Sequence, residues 1–185
     1  KEMVASIYAD IATHSDKVIN FAIAAPDPSL LPTAKINKSV VQALRNSKDS
    51  CISYEHTQGN VELRKQIAKL AFNWGANIKA DDIIVTSGCL EAISLCLKTV
   101  TKYGDTVAVE SPTYFGIYQA IESLGLKVVE ISTDPVNGVD LVELQKAIKK
   151  FSVKACVFIP NYNNPLGSCM PDENKKKLVE IITRY

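Results

Sequence analysis

The stretch from Ile83 to Phe115, IIVTSGCLEAISLCLKTVTKYGDTVAVESPTYF, contains two short apolar runs with an amphipathic segment between them. The runs Ile83-Ile-Val-Thr86 and Thr106-Val-Ala-Val-Glu110 are predicted to be buried strands, and Cys89 to Lys102 is predicted to be a helix. Short apolar strands separated by helices of this kind are typical of a mainly parallel sheet that helices cover on both faces. The stretch therefore predicts an α/β fold with three layers, α/β/α.

The same alternation extends in both directions from this stretch. Upstream, Asn60 is predicted to cap a helix that Gly75 ends, and a helix is predicted from Thr33 to Asn46. The segment from Val18 to Ala24 is predicted to be a strand or an extended arm. Downstream, the pattern predicts a helix over Tyr114–Leu124, a strand over Lys127–Ile131, a helix that begins with a capping box of Asp140 and Glu143, a strand over Lys154–Ile159, and a last helix after Pro171.

The composition is that of an ordinary globular protein. The chain has 185 residues, of which 46% are hydrophobic and 22% charged, and its formal net charge is +1. Neither a disordered chain nor a strongly basic nucleic-acid surface fits this balance. The five cysteines form no C-x-x-C pair, which predicts reduced, buried thiols and no zinc site. No metal site is predicted elsewhere, because the two histidines lack ligand spacing.

The sequence contains no predicted membrane-spanning segment or signal peptide. No apolar run reaches the roughly 18 residues that cross a bilayer, and the first ten residues do not have the form of a signal peptide. We expect a cytoplasmic protein without membrane contact. The chain begins with Lys1 and stops at Tyr185 within a helical pattern, so we expect it to be part of a longer polypeptide.

Two candidate segments follow predicted strands, where parallel sheets bind ligands. In Thr86-Ser-Gly-Cys89, the backbone N–H groups of Gly88 and Cys89 at a helix start could bind a phosphate, assisted by a hydroxyl. The alternative is an ordinary strand-to-helix turn with a serine cap. In Glu110-Ser-Pro-Thr-Tyr-Phe115, the Tyr114 ring could stack on a planar cofactor, or it could belong to the core.

Two further segments carry polar side chains. In Pro160-Asn-Tyr-Asn-Asn-Pro-Leu-Gly167, Asn164 could donate a hydrogen bond to a phenolate-like oxygen of a ligand, although an asparagine before proline is often structural. In Tyr54-Glu-His-Thr-Gln-Gly59, the Tyr54 hydroxyl could reach an anion. Arg64, shortly afterwards, is expected at the surface or in an ion pair.

These four segments, in this order, resemble those of fold-type I pyridoxal-phosphate enzymes, specifically the class I and II aminotransferases. The resemblance rests on the patterns Y-x-x-x-x-G-x-x-x-L-R, T-S-G, S-P-T-Y and N-P-x-G, and extends from about Asn20 to Tyr185. The stretches from Ala25 to Pro32 and from Val109 to Gly116 are most similar to the aminotransferase-like domain of MocR-type regulators in the GntR superfamily. In those proteins a winged-helix DNA-binding domain precedes this one.

The resemblance implies a role for particular residues. Pyridoxal 5'-phosphate is the implied cofactor, and the implied ligand is an amino acid or a 2-oxo acid. Tyr54 would reach the phosphate in the neighbouring subunit, which implies a homodimer. The other implied contacts are the backbone of Ser87, Gly88 and Cys89 with the phosphate, the Tyr114 ring with the pyridine ring, the Asn164 amide with the phenolic oxygen, and Ala25 and Pro26 with the substrate.

The resemblance also predicts domains and limits. Residues 1–50 would form an N-terminal arm and a small-domain segment, and residues 51–185 a truncated, aspartate aminotransferase-like large domain. The family's Schiff-base lysine would lie beyond the N-P-x-G loop, so we expect the isolated chain to be inactive. Two functions remain open: a transcriptional regulator that binds DNA only through a domain absent from this chain, and a free-standing aminotransferase. A piece without activity of its own is a third.

Overall fold

The computed structural model describes residues 26–46 and 52–185, together with Ala9. The chain divides into two compact units, Lys1–Glu55 and His56–Tyr185. The first unit contains a short 3₁₀ helix, Pro28–Leu30, and helix α1, Thr33–Asn46, which confirms the predicted helix. The strand or arm that we predicted from Val18 to Ala24 lies outside the described residues.

The second unit contains the alternating helices and strands. The side chain of Asn60 caps the first of these helices by accepting bonds from the N–H groups of Glu62 and Leu63, as predicted. The helices are α2 (Val61–Asn73), a 3₁₀ turn (Ala80–Asp82), α3 (Cys89–Val100), α4 (Phe115–Ser123), α5 (Leu141–Phe151) and α6 (Asp172–Arg184). The strands are β1 (Thr106–Ser111), β2 (Lys127–Asp134), β3 (Gly138–Val139) and β4 (Val153–Val157).

The sheet has four strands in the order β3-β2-β1-β4. Strand β1 runs parallel to both β2 and β4, and only the short β3 is antiparallel to its neighbour. Val107 and Val109 of β1 pack with residues of α3 and α4, whereas Ala108 between them packs with residues of α5 and α6. This alternation follows from the two-residue period of a strand. The three-layer α/β prediction is confirmed.

One predicted strand is absent from the sheet. The segment from Ile83 to Thr86 has extended backbone at Ile83, but it pairs with none of the four strands. Its Val85 N–H donates instead to the Gln58 carbonyl oxygen, at 2.9 Å. An apolar run favours extended backbone, but a strand also needs a neighbour in the sheet. The described part of the chain provides no such neighbour, so the prediction is wrong for this structure.

Arg64 on α2 is buried rather than exposed, with 4% of its surface accessible. Its Nε donates to the Gly59 carbonyl oxygen at 3.1 Å, and its Nη1 donates to the Ala80 carbonyl oxygen at 2.8 Å. The Asp81 carboxylate lies 3.4 Å from the same nitrogen. We predicted that Arg64 lies at the surface or in an ion pair, and the ion pair is present. The side chain is nevertheless buried, because backbone carbonyl oxygens accept hydrogen bonds from its guanidinium N–H groups.

Two smaller predictions also need correction. Asp140 caps α5 by accepting bonds from Val142 and Glu143 N–H groups, but the capping box is incomplete. The Glu143 carboxylate accepts the Ser132 N–H of β2, at 2.9 Å, instead of reaching back to Asp140. Of the cysteines described, Cys156 is partly buried and the other three are exposed, although all four are free thiols.

Candidate functional site

The loops that follow β1 and β4 leave the sheet at the same edge. The two strands are parallel neighbours, and Val109 pairs with Val157 near their carboxyl ends. Strand β1 leads through Ser111 to α4, and β4 leads to the segment from Phe158 to Pro171. Two of the four candidate segments are therefore adjacent at the edge where parallel sheets bind ligands.

A buried carboxylate joins these two segments. Glu110 is only 2% exposed, although it is charged and lies on the central strand. Its Oε2 accepts the Ile159 N–H at 2.7 Å and the Asn163 Nδ2 at 3.0 Å. Burial raises the pKa of the Glu110 carboxyl above its ordinary value, and the bonds from Ile159 and Asn163 oppose that rise by stabilising the charged form.

Asn163 organises the N-P-x-G loop, and sequence reasoning missed it. Its side-chain Oδ1 accepts the Leu166 N–H at 3.2 Å. Its backbone accepts the Gly167 N–H at 2.6 Å and donates to the Ser168 carbonyl oxygen at 3.0 Å. Asn163 is 3% exposed, whereas the next residue, Asn164, is exposed. The carboxylate that ends a buried strand was the signal that could have indicated a polar partner for it.

Tyr114 lies directly after the first of these loops, at the start of α4. Its ring packs against the cluster that contains Val107 and Val109. A Cβ atom placed on Gly116 would lie 2.4 Å from Tyr114 Cε1 and 3.1 Å from Leu90 Cδ1. The tyrosine ring therefore lies over Gly116, close to the first turn of α3. This contact brings the S-P-T-Y segment to the T-S-G segment. The ring is partly buried against the core, and its stacking on a cofactor stays a prediction.

The turn from Thr86 to Cys89 is held mainly by backbone geometry. Gly88 has φ 97° and ψ 173°, a conformation open only to glycine, and it caps α3. The Thr86 hydroxyl donates to the Gly88 carbonyl oxygen at 3.1 Å. The Ser87 N–H donates to the carboxylate of Glu91, one turn into the helix. Ser87, Gly88 and Cys89 are all exposed.

The start of α3 exposes the backbone groups of this turn. The first N–H groups of a helix have no partner within the helix and carry its positive end. A Cβ on Gly88 would meet nothing within 4 Å, so the space beside the turn is open. The Ser87 N–H is already bonded to the Glu91 carboxylate, and the phosphate-binding role of the turn stays a prediction.

The remaining predicted residues belong to the first unit or lie outside the described residues. Tyr54 and Pro26 belong to the first unit, where both side chains are exposed, and Ala25 lies outside the described residues. Their roles stay predictions. Within residues 26–46 and 52–185, no group of three or more His, Cys, Asp or Glu could hold a metal ion. No helix in that part of the chain is long and apolar enough to cross a membrane.

The comparison with protein families decides the assignment. The model of the aminotransferase class I and II family matches residues 16–185. The chain belongs to that family. The resemblance that the four motifs indicated is thereby confirmed, and so is the expectation of pyridoxal phosphate as the family's cofactor. The roles of individual site residues are not tested by the match and stay predictions.

Individual relatives in this family are of two kinds. Two HTH-type transcriptional regulators of Escherichia coli, YjiR and YdcR, are 39% and 38% identical over 95% and 94% of this chain. An aminotransferase of Saccharolobus solfataricus, SSO0104, is 32% identical over 94% of this chain. The chain spans only 37% of the length of each regulator and 44% of the aminotransferase.

Solved aminotransferases share the fold. An archaeal alanine:glyoxylate aminotransferase is similar with a TM-score of 0.85 and 26% identity, over 98% of this chain and 46% of its own. The kynurenine aminotransferase of Pyrococcus horikoshii, whose structure is in complex with PMP, has a TM-score of 0.81 and 28% identity over 96% of this chain and 46% of its own. The predicted fold family is confirmed.

Proposed function

We propose that this chain is the pyridoxal-phosphate-binding, aminotransferase-like part of a MocR-type transcriptional regulator of the GntR superfamily. The observation that carries the proposal is the similarity to the two E. coli regulators, which are 38% and 39% identical over almost the whole chain. SSO0104 is 32% identical over a similar span. Because the chain covers 37% of each regulator, DNA binding is assigned to a domain outside it.

Five residues of the second unit would hold the cofactor, and four of them would contact its phosphate and its ring face. The backbone N–H groups of Gly88 and Cys89, with that of Ser87, would bind the phosphate at the open turn before α3. The Tyr114 ring, which Gly116 supports, would pack on the flat pyridine ring. When bound, pyridoxal phosphate supplies an electron sink for reactions at the α-carbon of an amino acid.

Asn164 would act on the oxygen side of the cofactor. Its exposed amide follows a loop residue that four hydrogen bonds hold, so the backbone that carries it is already in place before binding. An amide N–H that donates to the phenolic oxygen favours the deprotonated form of that oxygen. The residue therefore stabilises one protonation state of the bound cofactor.

The proposal also covers the partners of the whole protein. Tyr54 would reach the phosphate in a second subunit, which makes the protein a homodimer, and Ala25 and Pro26 would face an amino acid or 2-oxo acid. The lysine that binds the cofactor covalently is assigned to a part of the protein beyond this chain, so the isolated chain would form no keto acid. A cytoplasmic location, as expected for a DNA-binding regulator, completes the proposal.

The proposal is tested with the full-length gene product. Sequencing the gene on both sides of this segment should show a winged-helix pattern upstream. The purified protein should then bind a DNA fragment from its own promoter region, and pyridoxal phosphate with an amino acid should change that affinity. A gene product without a DNA-binding domain, or DNA affinity that the cofactor leaves unchanged, would contradict the regulator.

A free-standing aminotransferase is the second candidate. Besides SSO0104, aromatic-amino-acid aminotransferase 1 of Thermococcus litoralis is 31% identical over 91% of this chain. This alternative predicts that the full-length protein converts an amino acid to its keto acid with turnover, in the presence of an acceptor 2-oxo acid. Keto-acid formation together with the absence of an upstream DNA-binding domain would favour it over the regulator.

A further inference from the structure

We infer that Glu110 is a positioning residue for Asn164 and acts on it through Asn163. The inference rests on the proposed function, because it concerns the residue assigned to the phenolic oxygen of pyridoxal phosphate. Glu110 is too deeply buried to be a surface group, and both of its hydrogen bonds go to the segment that carries Asn164. It is separated from Ile159 and Asn163 by 49 and 53 residues of sequence.

Glu110 sets the orientation of the Asn163 amide. An ionised carboxylate only accepts hydrogen bonds, so the NH₂ group of Asn163 must point towards Glu110. Its Oδ1 is then directed to the Leu166 N–H, which it accepts at 3.2 Å. Without Glu110, either end of the amide could face β1, and the bond to Leu166 would no longer be fixed.

Asn163 in turn holds the backbone that precedes Asn164. Asn163 bonds through its own backbone to Gly167 and Ser168 and through its side chain to Leu166, so the ends of the N-P-x-G turn are joined at this one residue. Asn164 follows after a single peptide bond. A change in the backbone angles of Asn163 therefore changes the direction in which the exposed Asn164 amide is presented.

The burial of Glu110 has a cost in folding free energy. A carboxylate buried at the end of a central strand costs free energy that an apolar residue would not. Two hydrogen bonds to one oxygen offset part of that cost and fix the position of the adjacent loop relative to β1. The arrangement is expected where the position of a loop matters more than stability alone.

The test uses the full-length protein and two probes, pyridoxal phosphate and an analogue that lacks the ring hydroxyl. Glu110→Leu should weaken pyridoxal phosphate binding about tenfold, as expected for the loss of one good hydrogen bond, but should change analogue binding less than about twofold. Glu110→Gln retains one oxygen that can accept both bonds, and its affinity should stay within about threefold of the wild type. Leu144→Ala is the matched destabilised control, because Leu144 lies in the core between the sheet and helices α5 and α6. It should weaken the binding of both probes equally or not at all.

A double-mutant cycle provides a second readout. Asn164→Ala should weaken pyridoxal phosphate binding about tenfold in the wild type and less than about twofold in Glu110→Leu. Additive effects, or equal loss of both probes in Glu110→Leu, would overturn the inference and leave Glu110 purely structural. If Glu110→Leu does not fold, Asn163→Ala removes the same link from the loop side and is measured with the same expectations. A wild-type protein that binds neither probe would overturn the proposed function itself.

Discussion

The turn before α3 and the N-P-x-G loop after β4 are both candidate ligand segments, but they are held in different ways. The loop depends on buried side chains: Glu110 and Asn163 are each less than 5% exposed and are joined to one another. The turn from Thr86 to Cys89 depends mainly on a glycine conformation and on backbone groups, and Ser87, Gly88 and Cys89 are exposed.

This difference teaches which kind of change each region tolerates. The shape of the loop is encoded in the identity of two buried polar residues, so the loss of either leaves a partner unsatisfied. The shape of the turn is encoded by the absence of a side chain at Gly88, and its neighbours donate backbone groups that every residue except proline has. Substitutions in the loop should therefore mainly lower the free energy of unfolding, whereas substitutions in the turn should also weaken ligand binding.

The largest effect on stability is expected at Asn163. Asn163→Ala leaves the partly buried Leu166 N–H without its acceptor and removes one of the two bonds to Glu110. The free energy of unfolding, measured in urea, should fall by about 3 kcal/mol. The matched control is its neighbour: Asn164→Ala, at an exposed position, should change it by less than about 0.5 kcal/mol. Equal losses for the two asparagines would contradict the division between buried and exposed residues.

A somewhat smaller loss is expected at Gly88. Gly88→Ala places a side chain at a positive φ of 97°, which should cost about 2 kcal/mol of unfolding free energy. Because the strained backbone carries the N–H groups of the turn, titration should also show weaker binding of pyridoxal phosphate. Gly75→Ala, likewise at a positive φ with open space beside it, is the control and should leave binding unchanged. Unchanged binding in Gly88→Ala would remove the turn from the site.

The charge of Glu110 should give the loop a dependence on pH that the turn lacks. The pKa of its carboxyl is raised in the folded protein, so its contribution to stability is fully present below the ordinary pKa of 4.5 and is lost as pH rises through the raised pKa. Relative to Glu110→Gln, which does not titrate, the wild type should therefore lose unfolding free energy with rising pH over this interval. Parallel pH profiles for the two proteins would show that Glu110 titrates normally.

The smallest effect is expected at Ser87. Its backbone N–H is bonded to Glu91, and the proposed phosphate contact also uses the backbone. Ser87→Ala should change the free energy of unfolding by less than about 0.5 kcal/mol and pyridoxal phosphate affinity by less than about twofold. A tenfold loss of affinity would show that the hydroxyl itself contacts the phosphate, and the turn would then resemble the loop in its dependence on side chains.

The sequence predicted the local parts of the structure better than the long-range ones. The helix caps at Asn60 and Asp140 follow from residues within one turn and were confirmed, but the Glu143 half of the predicted capping box was wrong because Glu143 bonds to the distant Ser132. The strand expected at Ile83 failed because pairing depends on a neighbour far away in sequence. The same applies to the site: Asn163 and Asn164 are the same residue type, and the bond that distinguishes the buried Asn163 comes from Glu110, 53 residues upstream.

The Glu91 carboxylate at the Ser87 N–H means that the anion position of the turn is filled by the protein itself. A phosphate that uses this N–H has to take the place of the carboxylate, so binding there is an exchange of one anion for another. The released Glu91 side chain then returns to water, where its charge is well solvated. Under the proposed function, Glu91 would therefore compete with the cofactor phosphate from one helical turn away, and a titration of Glu91→Ala with pyridoxal phosphate should show tighter binding than the wild type.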